Sequence, residues 1–115
     1  MSMETSKEMV KLAYAALDEK KAEDIRIIDI QNVSVMADYF VIASGSNANQ
    51  IQAMVDNVEE ELLKIGIHSS RIEGVYNSSW VLMDYSDIVV HIFSEEDRHF
   101  YDLDRMWADA RRVEM

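Results

Sequence analysis

The chain has 115 residues, 49% of them hydrophobic and 29% charged, which fits one globular domain spanning 1–115 with a single core. Its formal net charge of -11, from 22 acidic and 11 basic residues, disfavours contact with phosphate backbones and so argues against direct, sequence-specific nucleic-acid binding. The lack of cysteine excludes disulfides, thiolate metal sites and cysteine nucleophiles, and the lack of proline excludes slow X-Pro isomerisation.

The N-terminal stretch "MSMETSKEMVK" has no long apolar centre, so no signal peptide is expected. No apolar run approaches the ~20 residues of a membrane helix, which predicts a cytoplasmic protein without membrane contact. "TSKEMVKLAYAALDEKKA" predicts a first helix. Thr5 and Glu8 have capping-box spacing, Met9, Leu12, Ala13, Ala16 and Leu17 recur at helical intervals, and Lys20 and Lys21 suit a C-terminus. "DIRIIDI" predicts a strand. "DYFVIAS" predicts a second, apolar on both faces from Phe40 to Ala43 and therefore central.

"SGSNANQ" leads into a long helix, capped by Asn47 paired with Gln50 or by Ser46 one residue earlier. Ile51, Met54, Val55, Val58, Leu62 and Ile65 form its apolar stripe, with Asp56, Glu59 and Glu60 opposite and Gly66 as the stop. "SRIEGVY" predicts a short strand and "WVLMDYSDIVVHIF" a hairpin. The tail "SEEDRHFYDLDRMWADARR" opens acidic and closes basic, as a helix does. Helices mixed with strands, with one long crossover, predict an α/β fold: a mixed β-sheet with flanking helices.

With Tyr85 and Ser86 as a two-residue hairpin turn, Trp80 would face His91, Leu82 would face Val89 and Asp84 would face Asp87. Alternation puts Val81, Met83, Ile88, Val90 and Ile92 on an aliphatic core face. Trp80, Leu82, Val89, His91 and Phe93 share the other. Tyr-Ser suits a type I′ turn poorly, and a one-residue slip would exchange one strand's faces. The mixed face is either roofed by the C-terminal segment, with Phe100, Tyr101, Leu103 and Trp107 as lid, or left open in part to dock a partner. Tryptophan and tyrosine are frequent anchors at such contacts.

Signals for catalysis are weak. His68, His91 and His99 form no metal-ligand spacing, and His91 reads as a satisfied sheet histidine. The strand–"SGSN"–helix junction resembles the Gly-Ser turn of nucleotidyltransferases. No alternating carboxylate pair follows on a strand, so a two-metal clamp is missing, and Ser44, Gly45 and Ser46 read as a tight turn plus cap. A degenerate nucleotidyltransferase that keeps nucleotide binding or activity is the alternative function, and a plain dimerisation module a third. No cofactor or metal is expected.

"ADYFVIASGSNANQ" (Ala37 to Gln50), "EGVYNSSWVLMDYSDIVVHIF" (Glu73 to Phe93) and "RHFYDLDRMW" (Arg98 to Trp107) resemble the Iojap family, the ribosomal silencing factor S. The resemblance covers nearly the whole chain, in three blocks in the family's order. Ser86 departs from it, standing where many relatives carry glycine. The resemblance implies a nucleotidyltransferase-like core without catalytic carboxylates and without enzyme activity. It implies binding to ribosomal protein fourteen of the large ribosomal subunit, a block to joining of the small subunit, and homodimers. Trp80 and Tyr101 match family motif positions and are the leading partner contacts. Leu82, His91 and Phe93 join them by sharing the Trp80 face, and Tyr85 joins as the turn residue. Glu95, Glu96 and Asp102 would meet lysines or arginines of a basic ribosomal protein, and such rim charges speed association more than they tighten it.

Overall fold

The computed structural model describes residues 3–31, 35, 37–74, 80–95 and 111–113. In chain order these form helix α1 (Met3–Glu19), strands β1 (Glu23–Asp29) and β2 (Tyr39–Gly45), helix α2 (Ala48–Leu63), and strands β3 (Arg71–Glu73), β4 (Trp80–Asp84), β5 (Ile88–Ser94) and β6 (Arg111–Val113). The strands make one six-stranded sheet in the order β3-β4-β5-β2-β1-β6. Among the described strands only β2 and β5 run parallel; the other pairs are antiparallel. A parallel pair needs a crossover, and α2 lies in the chain between its two strands. The expected mixed α/β sheet with flanking helices is therefore the one observed.

Strand β2 sits at the centre, and all seven of its residues are buried. Tyr39, Val41 and Ala43 meet α1 and α2 in one core, together with Val81, Met83, Ile88, Val90 and Ile92. Phe40 and Ile42 point the other way, into a second cluster with Ile28, Ile30, Ala37, Val89 and Phe93. Each fully buried aliphatic or aromatic side chain contributes roughly 1.5–3 kcal/mol, far more than helix propensity does, so these faces decide where the helices lie.

Helix α1 starts at Met3, ahead of Thr5, so Thr5 lies inside the helix and the expected capping box does not open it. Both helices end alike. At α1, Ala22 N–H donates to Leu17 O and Lys21 N–H to Asp18 O, with Lys21 at φ 62°. At α2, Ile67 N–H donates to Leu62 O and Gly66 N–H to Leu63 O, with Gly66 at φ 77°. Paired bonds of this kind around a left-handed residue satisfy the last carbonyls of a helix, and glycine adopts that conformation most cheaply. Because α2 stops at Leu63, Ile65 leaves the predicted stripe and is exposed. Asn57 joins the buried face in its place, its Nδ2 donating to Ala16 O at 2.8 Å and tying α2 to α1.

Two further expectations change. The hairpin register is Trp80↔Phe93, Leu82↔His91 and Asp84↔Val89, two residues from the predicted pairing. Tyr85 N–H bonds Ile88 O, so the turn is Ser86–Asp87, with Ser86 at φ 69°. A shift of two preserves parity, so the predicted faces stand. Arg111 and Arg112, read as the end of a helix, lie with Val113 in the edge strand β6 beside β1.

Candidate functional site

The face of the sheet turned away from both described helices carries Phe40, Trp80, His91 and Phe93. On β4 it shows Trp80 and Leu82, both half-buried, and on β5 Val89, His91 and Phe93. Phe40, from β2, completes the group. Its parity with Ile42 places it there, a signal present in the apolar run of β2 that the sequence reading left unused.

Register brings the rings together. Trp80 lies opposite Phe93, and their rings stack with centroids 5.2 Å apart. Phe40 meets the His91 ring edge-on at 4.6 Å. Trp80 Nε1–H donates to His91 Nδ1 at 3.1 Å. An indole nitrogen can only donate, so His91 Nδ1 must be unprotonated and the ring carries its proton on Nε2. That Nε2 is buried and has no hydrogen-bond partner among the described residues. Burial lowers the His91 pKa from 6.5 to about 4, so the ring is neutral at neutral pH.

Exposure sorts the sequence-predicted contacts. Phe93 is 0% and His91 4% exposed, so in this conformation neither offers surface, although both share the Trp80 face as expected. Trp80 and Leu82 keep part of theirs in solvent. Tyr85 lies on the opposite side, buried at 3% exposure in the core beneath the helices. Alternation with Val81 and Met83 would have placed it there; its assignment to the turn hid that. Burial, with Glu59 adding to it, pushes the Tyr85 phenol above its ordinary range. Glu95 is exposed, just beyond β5 at the end of the hairpin where Trp80 begins β4. A hydrogen bond to Glu95 raises Glu23 above the usual carboxylate range, and repulsion between the two carboxyls adds to it. Tyr101, Glu96 and Asp102, and the lid residues Phe100, Leu103 and Trp107, lie outside the described residues.

The Gly-Ser turn is occupied by its own chain. Asn47, the N-cap of α2, accepts from Gln50 N–H at 2.8 Å. Gln50 Oε1 in turn accepts from Ser46 N–H at 2.6 Å and from Ser46 Oγ at 3.0 Å, while its Nε2 donates to Lys20 O and Lys21 O. The Ser46 N–H that could cradle an anion is thus bonded to an amide. A Cβ on Gly45 would stand 2.7 Å from Ile51 Cγ1, so glycine is needed here for the close approach of β2 to α2. Asp84 ends β4 and Asp87 lies in the turn, so the two do not alternate along one strand. No group of three or more potential ligands able to hold a metal is found among the described residues, nor is any helix there long and apolar enough to cross a membrane.

Comparison with known proteins places these features. Residues 3–115 match the family described as ribosomal silencing factor during starvation. The chain is similar to the ribosomal silencing factor RsfS of Bacillus subtilis, 39% identical over 104 residues that cover 90% of this chain and 88% of that protein. It is 36% identical to the protein of the same name in Halalkalibacterium halodurans over 111 residues, covering 96% of this chain and 95% of the relative. A crystal structure of a Chromobacterium violaceum protein superposes with a TM-score of 0.87 at 30% identity, covering 94% of this chain and 88% of that one.

Proposed function

The chain belongs to the ribosomal silencing factor family, a family of ribosome-associated regulators of translation, and from that premise we propose a repressor that works by occupying space. It docks on the large ribosomal subunit through ribosomal protein fourteen and blocks joining of the small subunit. No bond is made or broken, no cofactor is used, and the work is done in the cytoplasm. Homodimers of the free protein belong to the same proposal, and light scattering checks them.

The observation that carries this reading is the family match over residues 3–115, joined to a sheet face on which Trp80 and Leu82 keep solvent-accessible surface. An aromatic anchor with aliphatic neighbours, rimmed by charge, suffices for a specific protein contact. Glu95 supplies acidic rim charge at the Trp80 end of the hairpin, suited to a basic ribosomal protein. Tyr101, Glu96 and Asp102 join it in the proposal by the sequence motif and by charge alone.

The test is co-sedimentation with purified large subunits. Wild-type protein is expected to pellet with them, and Trp80→Ala is expected to bind about tenfold more weakly or worse while remaining folded. Equal pelleting of the two would remove Trp80 from the contact.

A further inference from the structure

We infer that His91 is a positioning residue for Trp80: it holds the indole in its docking pose without touching the partner. The inference rests on the proposed docking role of Trp80. The Trp80–His91 hydrogen bond has one end in the interior and one near the surface, since His91 is 4% exposed and Trp80 half-buried. Phe93 stacks with the indole at 5.2 Å and Phe40 braces the imidazole edge at 4.6 Å, so these two rings fix the acceptor and the plane it serves.

Packing alone gives no reason for a histidine here. Its Nε2 is buried without a partner among the described residues, which is costly, whereas leucine or phenylalanine would fill similar space with no orphaned donor. What a hydrocarbon cannot supply is the acceptor for the Trp80 N–H. Protonation would abolish that acceptor, because a doubly protonated imidazole only donates. By register, the described charged side chains on this sheet face are Arg26, opposite Ile42; Arg71 and Asp84, opposite one another; and Glu73, opposite Leu82. All four charged side chains are half-exposed or exposed, and burial is the cause of the lowered His91 pKa.

The test uses the 15N-labelled full chain and purified large subunits. The Trp80 indole N–H resonance is assigned by its loss in Trp80→Phe. His91→Leu is expected to move that resonance upfield and to weaken pelleting about fivefold, the equivalent of one lost hydrogen bond. His91→Asn, whose Oδ1 can stand near the position of Nδ1, should keep both close to wild type. In the wild type the indole signal should titrate well below pH 6.5. A Leu variant with unchanged signal and binding overturns the inference, as does an Asn variant no better than Leu. If the Leu variant does not fold, a wild-type signal that stays fixed through acidification overturns it. Trp80→Ala that pellets like wild type instead overturns the docking role of Trp80, and the role of His91 with it.

Discussion

The imidazole of His91 accepts one hydrogen bond and is almost fully buried, and these two facts set how the fold answers to pH. Above pH 6.5 the folded and unfolded chains both carry it neutral, so it adds no pH dependence. As the pH falls from 6.5 toward 4, the unfolded chain binds a proton that the folded chain excludes, and stability declines through that window. The full loss is roughly 3 kcal/mol, complete near pH 4. Urea denaturation at pH 7 and pH 4.5, on wild type and His91→Leu, checks this. The variant should lose less stability on acidification, while the carboxylate background is common to both. Ser86 poses a second residue-scale test. It holds φ 69°, where a residue with a Cβ is strained, so Ser86→Gly is expected to stabilise by up to about 1 kcal/mol, read as a rise in Tm. The gain is limited by the Ser70–Ser86 hydroxyl contact, which glycine gives up.

Among the elements, what could be read in advance followed from periodicity, and what could not followed from contacts distant in the chain. The period-two pattern of β4 and β5 assigned Val81, Met83, Ile88, Val90 and Ile92 to one face and Trp80, Leu82, His91 and Phe93 to the other, as found. The partner of each residue was misread by two, because Tyr85 pairs with Ile88 and the left-handed residue is Ser86. Alternation reports the side a residue faces, not what lies over it, so the burial of His91 and Phe93 could not be read from the pattern. Strand β6 is three residues long and depends on pairing with β1, far away in sequence, while its two arginines locally resemble a helix end. The β2–α2 junction gives the prediction proper to this scale. Gly45→Ala places a methyl 2.7 Å from Ile51 Cγ1 and 3.3 Å from Met54 Sδ, which should force the helix off the strand and cost roughly 1–3 kcal/mol in chemical denaturation. Little change in the unfolding midpoint would mean that the junction yields more readily than its packing indicates.

On the scale of the whole molecule, the sheet separates two tasks. One side is closed by α1 and α2 over an aliphatic core. The other gathers Phe40, Trp80, His91 and Phe93, with part of Trp80 and Leu82 left to solvent. The net charge of -11 favours approach to a basic protein and opposes adhesion to the RNA around it. The proposed repression follows from this division, since a rigid body held by one face obstructs whatever must bind next to it. The most direct measurement is sucrose-gradient sedimentation of purified large and small subunits mixed with excess protein. The account predicts that wild type abolishes the joined-ribosome peak and that Trp80→Ala leaves it in place. An undiminished joined peak with saturating wild-type protein would contradict it.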